Sequence, residues 1–250
     1  MGYRIGFDIG STTIKAVVLD ENNQICYKSY ERHKAQVRQK ALDKLVELKK
    51  YTKKPFKFAI SGSGALGLSE QGELPFVQEV FASATGVSKL YPETDCAIEL
   101  GGEDAKILFF QGSVEQRMNS TCAGGTGAFI DQMATLLNMS LEEMNEASLN
   151  YHRLYPIASR CGVFAKTDIQ PLINQGVDKC DLCASIFQAV VDQTITSLAQ
   201  GRKIEGNILF LGGPLYFMSG LRNRFVETLK LSDVQVNCPD TAINFVNVSF

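Results

Sequence analysis

The sequence predicts an α/β fold in which one strand–turn–strand pattern occurs twice. The first copy covers Arg4–Asp20 and the second covers Asp95–Phe110, each with apolar and β-branched residues on both sides of a glycine-containing turn. In each copy an acidic residue is followed by glycine two places later and by lysine seven places later (Asp8, Gly10, Lys15; Glu99, Gly101, Lys106). Helical patterns separate these and further strands. The sequence therefore predicts two similar α/β lobes.

The first lobe is predicted at residues 1–92. After the hairpin, a third strand is expected over Gln24–Tyr30, and apolar residues at helical spacing predict a helix over Ala35–Lys50. A short buried strand, a glycine/serine loop and a second helix complete the lobe (Phe56–Ile60, Ser61–Ala65, Phe76–Leu90).

The second lobe is predicted at residues 93–250. A strand at Ser113–Met118 follows the second hairpin, and a helical pattern begins near Ala128. Asp178 is expected to cap a long helix that ends near Ser197. The remaining predicted elements are a strand, a helix ending near Leu229 and a last strand (Asn207–Leu211, Val234–Asn237).

Composition excludes several classes of protein. The 250 residues are 45% hydrophobic and 21% charged, with a formal net charge of -2. No extended basic run provides an electrostatic surface for nucleic acid. No uninterrupted apolar segment approaches the roughly 18 residues that a membrane span needs, and no targeting segment is recognised. We therefore expect a cytoplasmic protein with neither a nucleic-acid nor a membrane partner.

Seven cysteines in such a chain are expected to be thiols or metal ligands, because cytosolic proteins rarely use a disulfide framework. Cys122 and Cys161 each precede a helical pattern, where free N–H groups and the helix dipole favour a thiolate or a bound anion. Two cysteines do not complete a four-thiolate site. Two copies of the chain related by a two-fold axis would supply four.

Three glycine-rich turns follow apolar strands, and turns of this kind let backbone N–H groups approach a phosphate. They are Gly10-Ser11-Thr12-Thr13, Gly101-Gly102-Glu103 and Gly212-Gly213-Pro214. We expect Asp8 and Glu99 to face each other and to hold Mg²⁺ through water, with Lys15 neutralising phosphate charge. Neither a Walker nor a Rossmann glycine motif occurs, so a nucleotide would be bound by a different architecture.

This arrangement resembles the actin/Hsp70/sugar-kinase ATPase superfamily, in which two ribonuclease-H-like lobes bind ATP. Within it, the sequence is similar to the BadF/BadG/BcrA/BcrD branch, the ATPase activators of 2-hydroxyacyl-CoA dehydratases and benzoyl-CoA reductases. The most specific match is Cys-Ala-Gly-Gly-Thr-Gly-Ala-Phe at Cys122–Phe129, paired with Ser-Arg-Cys-Gly-Val-Phe-Ala at Ser159–Ala165. The sequence also resembles the long fused members, in which this module precedes dehydratase-like regions.

The resemblance implies ATP or ADP, Mg²⁺ and one [4Fe–4S] cluster that Cys122 and Cys161 of both subunits hold across a homodimer. It implies an ATP-driven electron donor to a dehydratase or reductase component, loaded by reduced ferredoxin or flavodoxin. ATP binding is expected to change the angle between the lobes. Gly125 and Gly127 are expected to belong to the nucleotide site, and Glu103 or Asp104 to orient the attacking water.

The sequence also departs from the branch. Glu99 and Glu103 stand where small activators usually have Asp and Gln. A Gly/Ala-rich helix normally follows the position of Phe245, whereas this chain ends at Phe250, so we expect a cut or altered end and impaired lobe closure. Two alternatives stay open. One is an N-acetylhexosamine-type kinase, since such kinases share this branch, and the other is a cluster-holding docking module that does not hydrolyse ATP, which the missing last helix suggests.

The other cysteines and the histidines are given structural interpretations. Cys180 and Cys183 lie three apart on a predicted helix without a second pair, which favours packing over a redox or zinc site. Buried inert thiols are expected in or beside strands, at Cys26, Cys96 and Cys238. His33 and His152 lack metal-ligand spacing, and the sequence assigns neither a role.

Overall fold

The computed structural model describes residues 2–119, 124–158, 162–232 and 235–238. The described chain forms two compact units, one up to Glu93 and one from Thr94 onward. Each unit contains one mixed sheet with helices packed against it, and each has its own apolar core.

The first unit has a four-stranded sheet of order β3-β2-β1-β4. Its strands are β1 Tyr3–Ile9, β2 Thr13–Leu19, β3 Ile25–Arg32 and β4 Phe56–Ser61. Its helices are α1 Val37–Leu48, a 3₁₀ turn at Lys49–Lys53, α2 Leu66–Gly72 and α3 Glu79–Leu90. Strands β1, β2 and β3 pair antiparallel, whereas β4 pairs parallel to β1.

The second unit repeats this arrangement with the order β7-β6-β5-β8-β9. Its strands are β5 Cys96–Leu100, β6 Ala105–Phe109, β7 Glu115–Met118, β8 Ile208–Leu211 and β9 Val236–Asn237. Its helices are α4 Gly127–Leu137, α5 Leu141–Ser148, α6 Gly162–Asn174, α7 Lys179–Thr194, α8 Gly213–Phe217 and α9 Ser219–Leu229. Strands β5, β6 and β7 pair antiparallel, and β8 pairs parallel to β5.

Both predicted hairpins are present, and their registers are equivalent. Asp8 pairs with Lys15 across β1 and β2, and Glu99 pairs with Lys106 across β5 and β6. Directly opposite residues on antiparallel strands lie on the same face of a sheet, so each acidic side chain has a lysine beside it. The repeated sequence spacing is therefore a repeated cross-strand pair.

Three local predictions were wrong. The helix predicted from Phe76 begins at Glu79, because Ile60 of β4 holds the preceding segment extended: its N–H donates to Pro75 O at 2.9 Å, and its carbonyl oxygen accepts the N–H of Val77 at 2.9 Å. Helix α2 was not predicted. Cys26 is exposed rather than buried, since it lies on β3, which pairs only with β2 among the described strands.

Asp178 caps α7 as predicted, and its side chain accepts a hydrogen bond from the N–H of Cys180 at 2.7 Å. The helix continues as a π-helical turn, Ile195–Ala199. By length and composition alone, Lys179–Ala199 is apolar enough to cross a membrane, but 67% of its apolar stretch is buried inside the protein. The packing identifies α7 as the central core helix of the second unit.

Candidate functional site

The acidic side chain of the first unit lies at the carboxyl end of β1. Asp8 is only 6% exposed, and its Oδ2 lies 2.7 Å from Nζ of Lys15. Ser61 at the end of β4 donates from Oγ to Asp8 Oδ1 at 3.4 Å. A buried carboxylate is stable when such donors satisfy it. This group of side chains places one compensated negative charge beside the first glycine turn.

The second unit has the same arrangement at the end of β5. Glu99 is 3% exposed, and its Oε1 lies 3.6 Å from Nζ of Lys106, whose side chain is also buried. Glutamate is one methylene longer than aspartate. The longer side chain nevertheless keeps the lysine within ion-pair distance, so the carboxylate–lysine pair is preserved.

The first two glycine turns close with the same backbone bond. Gly10 N–H donates to Thr13 O at 2.9 Å, and Gly101 N–H donates to Asp104 O at 2.7 Å. Within the described part of the chain, no acceptor is found for four N–H groups at the tips of these turns (Ser11, Thr12, Gly102, Glu103). Unused N–H groups on a tight turn are suitable donors for phosphate oxygens.

The third glycine turn follows β8, where Gly212 has a φ of +92°. A Cβ at Gly212 would lie 1.9 Å from the carbonyl oxygen of Leu100, so only glycine fits beside the end of β5. Sequence reasoning missed the equivalent residue in the first unit. Gly62 has a φ of +97°, and a Cβ there would lie 2.3 Å from the carbonyl oxygen of Ile9. The motif therefore has a fourth turn, after β4.

The start of α4 is bound to the second glycine turn. Gly127 N–H donates to Gly101 O at 2.9 Å, and Ala128 N–H donates to Gly102 O at 2.7 Å. A Cβ on Gly127 would lie 3.3 Å from Cγ of Pro214. Gly125 has a φ of +80° and packs on Gln193 of α7. These contacts give both glycines a packing reason, and their expected nucleotide contact stays a prediction.

The two candidates for orienting water lie in the second turn. Glu103 is exposed and Asp104 is half-buried. The carbonyl oxygen of Asp104 closes the turn, and its carboxylate takes no part in that bond. Gly213 and Pro214 form the first turn of α8, where the missing N–H of proline is not needed.

The predicted cluster ligands Cys122 and Cys161 lie outside the described residues. Helix α6 begins at Gly162, directly after Cys161, whereas α4 begins five places after Cys122. The first two N–H groups of α4 are bonded to the second glycine turn, so they are not available to a thiolate. Helix α4 begins next to the predicted position, Ala128, and the ligand role of Cys122 and Cys161 stays a prediction.

The remaining five cysteines lie among the described residues. Within the described ranges, no group of three His, Cys, Asp or Glu side chains is placed to hold an ion. Burial raises the pKa of the Cys183 thiol to about 12, and burial likewise raises the pKa of Cys96 to about 12. Cys180 is half-buried, and burial followed by hydrogen bonding with Asp178 raises its pKa. Such thiols stay protonated, as expected for packing residues.

Comparisons with known proteins cover nearly the whole chain. The sequence profile of the BadF/BadG/BcrA/BcrD ATPase family matches residues 5–242. The (R)-2-hydroxyglutaryl-CoA dehydratase activating ATPase of Acidaminococcus fermentans is 27% identical over 216 residues, which are 84% of this chain and 82% of that protein.

Solved structures give the same result. Component A of the (R)-2-hydroxyglutaryl-CoA dehydratase of Acidaminococcus fermentans aligns with a TM-score of 0.85 at 25% identity, over 98% of this chain and 95% of that one. The 2-hydroxyisocaproyl-CoA dehydratase activator of Clostridium difficile, with bound ADPNP, aligns with a TM-score of 0.84 at 25% identity, over 98% and 91%.

A more distant structure supports the fold alone. A Chromobacterium violaceum protein described as an N-acetylglucosamine kinase aligns with a TM-score of 0.54 at 15% identity, over 96% of this chain and 95% of that one. The predicted fold class, an α/β protein of the actin/Hsp70/sugar-kinase superfamily, is confirmed.

Proposed function

The chain belongs to the BadF/BadG/BcrA/BcrD ATPase family, and we propose that it uses ATP to activate a dehydratase or reductase acting on acyl-CoA. The observation that carries this proposal is the duplicated site: a buried carboxylate–lysine pair beside a glycine turn in each unit. The names of the relatives support the class of partner, a 2-hydroxyacyl-CoA dehydratase or a benzoyl-CoA reductase.

The donor set of the two turns fits a nucleotide. In the proposal, Ser11, Thr12 and Thr13 donate to phosphate oxygens, and the N–H groups of Gly102 and Glu103 in the second turn add further donors. Lys15 neutralises phosphate charge after leaving Asp8, to which it is bonded at 2.7 Å. The third turn, Gly212-Gly213-Pro214, takes the nucleoside.

Asp8 and Glu99 are the proposed holders of Mg²⁺. Their oxygens match the hard ligands that this ion prefers, and buried carboxylates suit an ion that keeps several of its waters. When bound, Mg²⁺ supplies charge neutralisation at the phosphates. Glu103 or Asp104 orients the attacking water, and of these the exposed Glu103 is freer to adjust its position.

The finer part of the proposal is electron transfer. Cys122 and Cys161 of two subunits supply the four thiolates of a [4Fe–4S] cluster, loaded by reduced ferredoxin or flavodoxin. The support is the sequence motif around each cysteine, together with the elimination of Cys96 and Cys183, whose buried thiols resist deprotonation. When bound, such a cluster supplies one-electron transfer at low potential.

Anaerobic reconstitution with iron and sulfide tests this proposal. About two irons per chain are expected in a dimer, because one four-iron cluster is shared by two chains. Cys122→Ser and Cys161→Ser should each lose the iron, while the matched control Cys180→Ser should keep it. Iron content, size-exclusion mass and ATP hydrolysis are measured on the same samples.

The alternatives predict different results. An iron-free protein whose ATP consumption depends on an added amino sugar would indicate a kinase. Iron without ATP hydrolysis would indicate a docking module that holds the cluster. Iron retained by both serine variants would exclude Cys122 and Cys161 as the ligands.

A further inference from the structure

His33 lies behind the first glycine turn and is bonded to it twice. The residue is only 5% exposed. Its Nε2 lies 3.2 Å from the carbonyl oxygen of Gly10, and its backbone N–H donates to the carbonyl oxygen of Thr12 at 3.1 Å. One buried histidine therefore contacts two of the four residues of the turn that the proposal assigns to phosphate binding.

The hydrogen bonds fix the form of the imidazole ring. The N–H of Ala35 donates to Nδ1 of His33 at 3.2 Å, so Nδ1 carries a lone pair. A carbonyl oxygen only accepts hydrogen bonds, so Nε2 must carry the hydrogen that faces Gly10. His33 is thus a neutral imidazole that donates to the turn.

The bond to Gly10 determines the direction of an N–H group. A trans peptide unit is planar, so its carbonyl oxygen and its N–H point in opposite directions. The carbonyl of Gly10 and the N–H of Ser11 belong to one peptide unit. Because His33 binds that oxygen, the N–H of Ser11 faces away from the histidine, on the side where a phosphate would be bound.

In the second unit, a backbone N–H group binds the corresponding carbonyl oxygen in place of an imidazole. The carbonyl of Gly101, which corresponds to that of Gly10, accepts the N–H of Gly127 at 2.9 Å. That bond directs the N–H of Gly102 in the same manner. A backbone N–H at the start of α4 and an imidazole N–H at the end of β3 therefore occupy equivalent positions.

The segment after His33 has an unusual backbone conformation that places an N–H group against the imidazole ring. Lys34 and Ala35 both have left-handed backbone conformations, with φ of 47° and 62°. Gln36 N–H closes this turn on His33 O at 2.8 Å. Two consecutive non-glycine residues rarely adopt this conformation unless their surroundings require it. Here the turn brings the N–H of Ala35 onto Nδ1.

We infer that His33 is a positioning residue for nucleotide binding: it orients the first phosphate-binding turn through its Nε2–H, as the start of α4 orients the second. This inference rests on the proposed function, since it concerns the same turn. His33 is placed behind the turn and acts through Gly10 and Ser11, so it is not assigned direct contact with the nucleotide.

Mg–ATP titration calorimetry on the full chain tests the inference. His33→Leu removes the donor and should weaken binding by about tenfold to a hundredfold, because the half-buried Gly10 carbonyl loses its partner and no longer orients the turn. His33→Gln restores an N–H donor at a similar distance from the backbone and should recover most of the affinity. His152→Leu, at the other histidine of the chain, is the matched control and should bind like the wild type.

A spectroscopic measurement on the wild type tests the inference independently, and it applies even if His33→Leu does not fold. Imidazole ¹⁵N NMR on the wild type should show a neutral Nε2–H tautomer for His33, assigned by its loss in His33→Gln. An Nδ1–H tautomer would overturn the inference. Equal ATP affinity of the wild type and His33→Leu would overturn it while leaving the proposed function intact. A wild type that binds no Mg–ATP would overturn the proposed function and the inference together.

Discussion

Asp181 on α7 shows how one buried carboxylate organises a connecting segment. Its Oδ1 accepts the N–H groups of His152 at 2.7 Å and Arg153 at 3.0 Å. These two bonds, the first being the larger cause, hold the pKa of Asp181 below its usual range. The side chain is 8% exposed, so water does not replace the bonds easily. Asp181 thereby fixes the chain that leads toward α6.

The lowered pKa of Asp181 predicts a pH dependence of stability. A carboxylate with a lowered folded pKa stabilises the protein above its unfolded pKa of about 3.9, and this contribution is lost as the pH falls through the folded pKa. Asp181→Asn should reduce the free energy of unfolding at pH 7 by about 1–3 kcal/mol. The difference from wild type should shrink as the pH falls below about 4.

Urea unfolding of both proteins at pH 7, 5 and 3 measures this effect. Glu205→Gln, at an exposed carboxylate of the same unit, is the control and should differ little from wild type. A difference between Asp181→Asn and wild type that stays constant down to pH 3 would contradict the assigned role of the ionised form.

At the scale of elements, the turns that follow the parallel strands β4 and β8 restrict the amino acid most strongly, because each requires a glycine. Gly62 follows β4 and Gly212 follows β8, each directly beside the end of the parallel neighbour strand. Both have positive φ values, which glycine adopts without steric cost. The close approach places each turn at the edge of the sheet where β1 or β5 ends, beside Asp8 or Glu99.

Gly212→Ala and Gly176→Ala separate two effects of replacing such a glycine: the strain of a positive φ, and the steric clash of the added Cβ with a neighbouring strand. Gly176 has a φ of +73° and open space around it, so alanine there should lower the free energy of unfolding by about 1–2 kcal/mol. At Gly212 the new Cβ would also meet the Leu100 backbone, and the total loss should reach about 3 kcal/mol or more. Urea unfolding measures both variants, and equal losses would refute the close approach.

At the scale of the whole molecule, the duplicated arrangement predicts that both units contribute to nucleotide binding. Mg–ATP at a hundred times its Kd should raise the free energy of unfolding by about 2.7 kcal/mol. Asp8→Asn and Glu99→Gln should each reduce this stabilisation. Thermal unfolding with and without Mg–ATP measures it, and the exposed Glu70→Gln is the control. If only one of the two carboxylate variants had an effect, the duplicated role would be wrong.

The sequence predicted most elements of the described fold, because strand and helix periodicities are local properties. The prediction from sequence failed where contacts with distant residues determine the local structure or the exposure of a side chain. Phe76 continues an apolar pattern that favours a helix, yet it forms a bridge with Ile60 of β4. Cys26 reads as a buried strand residue, yet β3 leaves it exposed. Neither the exposure of a strand nor a parallel pairing is encoded in the periodicity of one segment.

The sequence by itself determined the two hairpins and their carboxylate–lysine pairs, because a short turn fixes the cross-strand register of the residues beside it. Only the tertiary structure decided that Gly62 matches Gly212 and that His33 supports the turn at Gly10. Those contacts join residues 23 or more positions apart, and they depend on how β3 and β4 are placed beside β1 and β2. Long-range placement results from packing the whole unit, and no single stretch of sequence records it.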